Sequence, residues 1–526
     1  MLVQVTEIPA EMAFNVDHLL NTNSTPSQEQ RNNLQNLILQ LDETILNTDE
    51  DISCINKQIL ALQTKRTQLV QQRKYYSSLL SPVRCLPIEI FGKIFVYATH
   101  DRPRHVLNLS AVCQLWRDAA LCTPVLWSTL ELGHHSKRHN MDNHIDSWIE
   151  RAHSYPLSLV IEKRDDFLDP VNCILTLITK HRWKSITLDT CDTSILSILK
   201  KLEFSNLEEL ETFSLYPQPC DGYYSKLSYP DALRYAPKLK TLGFHAKSPV
   251  AFDMLPFPWK QLTSLTITFW DKRNHNVIVD ILHACVNLEE LIIDEDCDEV
   301  GSNDSITLNY LRKLRTDCLI SRKFLHSLNT PSIQDFAVKA RYKFRPSFVG
   351  AYDYIKKNSS TLLKLSIAAP DIKLVENFPN LRSLVELKLY DDYDTNRDYE
   401  SMAVYYRILS SLVVKPEMDL STIPLPRLEV LEIICQATEG NQIMFMKVIK
   451  SRWWSDEEEN ARQNLKQLEG QQSLSRIKRS IFMNVRDMNV FCRDDADVLR
   501  AQGMSIEYLD GIRVDFPDGM DEDHFY

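Results

Sequence analysis

The chain has 526 residues and a net charge of −11, with 44% hydrophobic and 25% charged residues. This composition is typical of a globular protein with several domains, and the excess of acid argues against general attraction to nucleic-acid phosphates. No run of about 18 apolar residues occurs, so we expect no membrane span, and the N-terminus shows no secretory signal. The twelve cysteines form no Cys-x-x-Cys pair, which indicates reduced thiols and a cytoplasmic or nuclear location.

Residues 1–27 show no periodicity and are expected to form a disordered leader, whereas residues 28–80 carry a heptad pattern. The combination of isoleucine at position a and leucine at position d favours a parallel two-stranded coiled coil, which predicts a homodimer through residues 34–80. Acidic and poorly helix-forming residues at 47–51 favour instead a hairpin of two shorter helices. A single helix packed on the body is the third alternative. Position a holds Ile38, Ile45, Ile52, Ile59, Arg66, Arg73 and Leu80, and position d holds Leu34, Leu41, Thr48, Ile55, Leu62, Leu69 and Tyr76.

The segment from residue 86 to residue 97 predicts a helix with an unusually wide apolar arc. A surface helix normally buries a stripe of about 100°, so this one needs a second packing partner besides its own small bundle. A bundle of roughly 45 residues is near the lower limit for a self-sufficient core, which predicts a module that docks on a partner. On a helical wheel, one side carries Leu86, Ile90, Ile94 and Tyr97, the opposite side carries Ile88, Phe91 and Phe95, and a wedge expected to face solvent carries Glu89, Gly92, Lys93 and Val96.

This segment and the one that follows it resemble the F-box. The shared motifs are Leu-Pro-x-Glu-Ile-x-x-x-Ile-Phe at 86–95, Leu-Ser-x-Val-Cys-x-x-Trp-Arg at 109–117, and the Pro-x-Leu-Trp of fungal members at 124–127. The resemblance implies a three-helix F-box at 81–131 that docks on a Skp-type adaptor and thereby on a cullin–RING ubiquitin ligase. By motif position, the implied adaptor contacts are Leu86, Pro87, Ile90, Ile94, Phe95, Leu107, Val112, Cys113 and Trp116.

The sequence departs from the family pattern in two places. Ile88 stands where an acidic residue is common, and the stretch between the helices at 101–105 is basic instead of acidic. The alternative to an F-box is a helical core segment of a larger domain.

Beyond Leu130, a Leu-x-x-Leu-x-apolar motif recurs with first positions at 207, 239, 262, 288, 311, 333, 362, 384 and 428. The steps are mostly 22–32 residues, near the range of leucine-rich repeats, and the final step of 44 would accommodate one degenerate unit. Each unit predicts a short strand that points its leucines inward, with helices such as 276–285 between strands.

We therefore predict an α/β fold for residues 132–515, an irregular leucine-rich-repeat-like solenoid or horseshoe. Its opening strands are expected at 157–161 and 183–188, its C-terminal cap near 501–506, and an acidic tail at 516–526. The arrangement resembles the large basidiomycete-type family of fungal F-box proteins, and an ordinary α/β domain with parallel strands is the alternative.

Other clusters predict no further chemistry. The histidine spacing does not suit zinc, so no metal and no cofactor is expected, and the acidic run at 294–299 is interpreted as a solvated loop. Trp453 and Trp454 are expected to pack in the core, with anchoring of a client as the alternative. No catalytic motif is recognisable, so we do not expect an enzyme. The histidines in question are His134, His135, His139, His144 and His153.

Together these features predict a substrate-recognition subunit of an SCF-type ubiquitin ligase, with an unknown protein client on the repeat region. The alternative is a non-ligase scaffolding or interaction protein that uses the heptad helix and the repeat surface. Neither a nucleic acid nor a membrane is expected as a partner.

Overall fold

The computed structural model divides the chain into two compact units, residues 1–91 and residues 92–526, with the division inside one helix. The predicted leader up to residue 24 and the acidic tail lie outside the residues that the structure describes. Those residues are 25–100, 102–132, 141–161, 181–189, 207–216, 231–246, 252, 255–269, 275–295, 305–317, 322–339, 349–368, 370–390, 399–419, 421–435, 439–454, 474–484 and 490–510.

The heptad segment is one continuous helix, α1 (Gln28–Leu79). It begins at a capping box in which the Ser27 hydroxyl accepts from the backbone N–H of Gln30 at 3.2 Å, while the Gln30 side chain accepts from the backbone N–H of Ser27 at 2.8 Å. The helix runs through residues 47–51 without a break, so the predicted hairpin is not the structure of this segment. No residue of α1 is buried.

Three short helices follow: α2 (Ile88–Ala98), α3 (His105–Ser110) and α4 (Gln114–Leu121). A 3-10 turn at Pro82–Cys85 precedes them, and another at Pro124–Trp127 leads directly into the first strand of the sheet. The prediction of a long helix followed by short helices is therefore confirmed.

The rest of the described chain is built on a parallel sheet of 14 strands whose spatial order follows the chain order. Every neighbouring pair of strands in this sheet is parallel, which requires a crossover connection every time. The prediction of an α/β fold is confirmed. The strands of this sheet are β1 (Thr129–Leu132), β2 (Leu157–Ile161), β3 (Trp183–Asp189), β4 (Thr212–Tyr216), β5 (Thr241–Ala246), β6 (Ser264–Phe269), β7 (Glu290–Glu295), β9 (Lys313–Asp317), β11 (Asp335–Lys339), β12 (Lys364–Ala368), β13 (Glu386–Tyr390), β14 (Val430–Ile434), β15 (Arg479–Asn484) and β16 (Ser505–Asp510).

Helices occupy several of the crossovers, and β8 (Ile306–Thr307) pairs in parallel with β10 (Leu328–Asn329) outside the main sheet. The described helices are α5 (Met141–Ala152), α6 (His275–Ala284), α7 (Arg322–Ser327), α8 (Val349–Lys357), α9 (Tyr399–Leu412), α10 (Glu439–Arg452) and α11 (Val490–Ala501).

The register of the strands places equivalent motif residues side by side. Leu242 pairs with Leu265, which pairs with Leu291, and the same column continues through Leu314 to Phe336. These side chains are fully buried, and burial of each stabilises the fold by roughly 1.5–3 kcal/mol. Stacking of strands therefore builds continuous buried columns, as the repeated motif predicts.

Two details of the repeat prediction are wrong. The pairing of Phe213 with Leu242 makes Leu210, and not Leu207, the equivalent of Leu239, because the sequence there offers leucines three residues apart. In the described part of the 44-residue step no strand lies between β13 and β14, which pair directly with each other, and helix α9 lies between them in sequence. In addition, the sheet opens at β1, ahead of the predicted opening strands.

The remaining predictions fall as follows. Trp454 is buried, while half-buried Trp453 donates from its indole N–H to the Gln502 side chain at 3.3 Å and lies under the Arg476 guanidinium. The first three histidines of the predicted cluster, and residues 296–299 of the acidic run, lie outside the described residues, whereas His144 is in α5 and His153 follows that helix. None of the described helices is both long enough and apolar enough to cross a membrane.

A buried cation lies beside the two tryptophans. Arg452, at the end of α10, donates to three backbone carbonyls, those of Leu412, Leu425 and Pro424, at 2.7–3.0 Å. Its burial lowers the pKa of the guanidinium to about 10. The side chain thereby holds the end of α9 and the segment before β14 against α10.

Candidate functional site

Helix α2 separates its apolar residues into a buried side and an open side. Phe91 and Phe95 are almost completely buried, whereas Ile94 is 46% exposed and Tyr97 is 85% exposed. Ile90, one turn before Ile94, is also exposed. The helix therefore keeps an exposed apolar stripe.

One residue of the wedge expected to face solvent is buried instead. A Cβ added at Gly92 would clash with the Thr123 hydroxyl oxygen, so α2 closely approaches the segment that follows α4. The Thr123 hydroxyl is itself tied to α4, since it donates to the Ala119 carbonyl at 2.8 Å. Gly92 is thus a contact between α2 and the α4 end, and the prediction of its exposure is wrong.

Phe95 joins α2 to α4 from inside. Its ring centroid lies 5.1 Å from that of Trp116, with the two planes inclined by 55°. Phe95 is only 1% exposed and belongs to the core. Trp116 is half-buried, so part of its ring reaches the surface. Of the residues that the resemblance implies as contacts, Phe95 is the one that is fully buried.

Helices α3 and α4 add a second group of open apolar side chains. Leu107, Val112 and Leu115 are exposed, Val112 by 60%, although the neighbouring Val106 is fully buried. Cys113 is exposed and begins α4, its carbonyl accepting from the backbone N–H of Arg117 at 3.0 Å. The short α3 thus packs through Val106 and exposes Leu107.

The earlier implied contacts belong to the other unit. Leu86 is half-buried and Pro87 is exposed, and the Pro87 carbonyl accepts from the backbone N–H groups of Ile90 and Phe91 at 3.0 and 3.3 Å. Pro87 therefore lies immediately before α2, where its missing N–H removes no helical hydrogen bond.

Sequence reasoning missed the residues that fix this region to the sheet. The Arg104 guanidinium, in the basic stretch before α3, donates twice to the Glu131 carbonyl of β1, at 2.8 and 3.2 Å. The indole N–H of the buried Trp127 donates to the Ala120 carbonyl of α4 at 2.9 Å, and its ring packs edge-on against Trp148 of α5. No motif spacing links these pairs, which meet only through the fold.

The strands present a second surface, the face opposite the core. Between β1 and β6 its side chains are mostly small and hydroxylated, and most are half-buried. From β7 onward the same columns carry charges. The hydroxylated residues are Thr129, Ser158, Ser185, Thr187, Thr212, Ser214, Thr241, Ser264, Thr266 and Thr268.

The charges of the second half pair with one another across the strands. Lys313 contacts Glu290 at 2.8 Å, and Glu386 lies between Lys364 at 2.9 Å and Lys388 at 3.1 Å. Lys388 also contacts Glu432 at 3.0 Å. This arrangement is a ladder of paired charges.

Two carboxyl groups in this region have pKa values that are shifted in opposite directions. Burial raises the pKa of Asp335, although the charges of Lys313, Arg315 and Lys364 lower it in part. Burial also acts to raise the pKa of Glu386, but its hydrogen bonds to Lys364 and Lys388 and their charges outweigh burial and hold it below its ordinary value.

No curated protein matches this chain. Residues 83–132 match the family model described as F-box-like, a span that includes α2, α3, α4 and the whole of β1. The chain therefore carries an F-box-like domain, whose last segment is the first strand of the parallel sheet.

Proposed function

We propose that the chain is the substrate-recognition subunit of an SCF-type cullin–RING ubiquitin ligase and is not itself an enzyme. Its F-box-like domain docks on a Skp-type adaptor, and the sheet region binds a protein client. One observation carries the proposal: within the F-box-like domain, Ile94, Tyr97, Leu107 and Val112 remain exposed beside a buried core. The receptor brings the client near the ubiquitin-transferring subunits, which raises its local concentration.

We further propose that the sheet is a leucine-rich-repeat-like solenoid. This proposal is supported by the chain-order pairing of parallel strands and by the alignment of the repeated leucines in buried columns. The client surface is then the hydroxylated half of the open face. Small side chains there allow close approach, whereas the neighbouring charges are already paired among themselves.

Affinity purification of variant chains tests both interactions. The double variant Ile94→Asp, Val112→Asp places charges on exposed positions and is expected to lose adaptor and cullin at least tenfold, because a buried unpaired charge opposes docking. Thr241→Arg, on the hydroxylated face, is expected to retain the adaptor and lose the client. Mass spectrometry after proteasome inhibition quantifies the partners.

Val286→Asp is the matched control, since Val286 is 53% exposed in the sheet region outside the F-box-like domain. It is expected to behave like the unaltered chain. Full recovery of adaptor by the double variant would overturn docking through this surface.

A specific feature also supports the alternative of a scaffolding protein. Helix α1 is 52 residues long and buries none of its residues, although it carries a heptad pattern. We propose that it joins two copies of the chain, a role compatible with either function. Adaptor-free chains that remain dimeric and bind the same partners would favour the scaffold.

A further inference from the structure

We propose that α1 pairs with a second copy of itself in antiparallel orientation, centred near Lys57. The inference rests on the homodimer proposed above and specifies its orientation and register. A parallel pair, which the identities at positions a and d favour, is the arrangement that the charges of the helix oppose.

The heptad residues form an open apolar stripe along the whole helix. Their exposed fractions lie between 44% and 66%, in a helix none of whose residues is buried. A stripe of this length needs an equally long partner, and a second copy supplies the matching heptads. The stripe is made by Ile38, Leu41, Ile45, Ile52, Ile55, Ile59, Leu62 and Leu69.

The two halves of α1 carry opposite charge. Residues 28–51 contain six acidic residues and one basic residue, whereas residues 52–79 contain five basic residues and no acidic one. The acidic residues are Glu29, Asp42, Glu43, Asp49, Glu50 and Asp51, the basic residue among them is Arg31, and the later basic residues are Lys57, Lys65, Arg66, Arg73 and Lys74.

A parallel pair in register brings like charges together. Acidic half faces acidic half, and basic half faces basic half. Arg66 and Arg73 occupy position a, so each of them would meet its own copy inside the seam. Like charges at such positions oppose association.

An antiparallel pair brings each acidic half against a basic half. The heptad phase allows a register in which Ile52 packs against Leu62 of the second copy, and Ile55 then packs against Ile59. The same register places Ile45 against Leu69 and Leu34 against Leu80, while Arg66 and Arg73 face Thr48 and Leu41.

The charged residues also find partners in this register. Arg66 lies beside Asp49 of the second copy, Arg73 lies beside Asp42, and Lys65 faces Asp51 across the flank of the seam. Both orientations bury the same isoleucines and leucines, so the charges decide between them. The points where the two chains leave the coil, at residue 80, are then about 70 Å apart, from 1.5 Å per helical residue.

Disulfide trapping in the full-length chain distinguishes the two orientations. In a Cys54→Ser, Cys85→Ser background, Gln58→Cys meets its own copy only in the antiparallel pair, where residue 58 lies near the centre. Leu41→Cys meets its own copy only in the parallel pair, because antiparallel copies of residue 41 are about 48 Å apart. Both positions are exposed in the single chain, so neither change affects its buried core; Leu41 lies in the proposed seam and Gln58 on its flank.

After mild oxidation, we expect the Gln58→Cys chain to form linked dimer in at least tenfold greater yield than the Leu41→Cys chain. The reverse order would overturn the antiparallel orientation while leaving the homodimer intact. A monomer in sedimentation equilibrium would overturn both, and neither outcome affects the adaptor test above.

A charge swap provides an independent measurement. Arg66→Glu is expected to weaken the dimer roughly tenfold, and adding Asp49→Lys to the same chain is expected to restore it, because the two residues meet only across an antiparallel pair. Absence of rescue would contradict the proposed register.

Discussion

Thr316 is a residue at which the inner face of the sheet departs from its own apolar pattern. Its register neighbours, Ile293 and Val338, are apolar, and Thr316 is only 2% exposed. Its hydroxyl has no hydrogen-bond partner among the residues that the structure describes. A buried hydroxyl in that state lowers the free energy of unfolding.

Thr316→Val retains the shape of the side chain and removes the hydroxyl. We therefore expect the free energy of unfolding to rise by about 1 kcal/mol, measured by urea denaturation. Thr266→Val, on the half-exposed outer face, is the control and is expected to change stability by less than about 0.5 kcal/mol. A less stable Thr316→Val chain would mean that the hydroxyl is satisfied in solution.

For single residues of α2, the helical-wheel pattern predicted the side of the helix on which a residue lies better than it predicted how deeply that residue is buried. It correctly separated exposed Ile94 from buried Phe91. It did not predict that Gly92 lies against Thr123, because that close approach depends on a residue 31 positions away. A helical wheel contains no information about such distant neighbours.

Among the strands, the paired charges between β11 and β14 make the stability of the sheet depend on pH. Glu386 is held below its ordinary pKa by Lys364 and Lys388. A lowered pKa in the folded state stabilises the fold above the unfolded value, about 4.3 for glutamate, and the stabilisation is lost as the pH falls through the folded value.

Glu386→Gln removes this contribution. We expect the variant to be less stable than the unaltered chain at pH 7. The difference is expected to shrink as the pH falls below about 4.3, because the unfolded chain then binds a proton that the folded chain binds only at its lower pKa. Urea denaturation across pH 3–7 measures both effects.

Asp335→Asn is the matched comparison. Lys364 lies between Asp335 and Glu386 in the register of the strands, and the pKa of Asp335 is raised. The opposite sign is expected: the variant gains stability at pH 7, and the gain disappears at low pH. Equal pH dependence in the two variants would contradict this account of the ladder.

The strands themselves were largely predictable, because alternation and spacing report the buried columns directly. The register of the strands was less predictable from the sequence. Leu207 and Leu210 fit the motif equally well, and only pairing with β5 selects the second. Helix α9, which lies in the 44-residue step, was likewise not predicted, because the repeat motif describes only strands.

In the molecule as a whole, the F-box-like domain and the parallel sheet are continuous. Residues 83–132 end with β1, whose partner is β2, so one strand belongs to both. Trp127 lies just before that strand. Its indole N–H is hydrogen-bonded to α4, and its ring packs against α5. The Arg151 guanidinium of α5 lies 4.6 Å from the centre of its ring. Motions of α4 and of the first crossover are therefore expected to be coupled through this one side chain.

Trp127→Ala tests that coupling. Removing a fully buried tryptophan is expected to cost about 3–5 kcal/mol, and the loss is shared by both elements that the ring contacts. Hydrogen exchange followed by mass spectrometry is expected to show faster exchange in α4 and α5 together, with the strands beyond β6 little changed. Tyr310→Ala, at a 59% exposed aromatic residue, is the control and is expected to leave both helices protected. Faster exchange confined to α4 would mean that the F-box-like domain is stabilised independently of the sheet, because Trp127 would then act only within its own bundle.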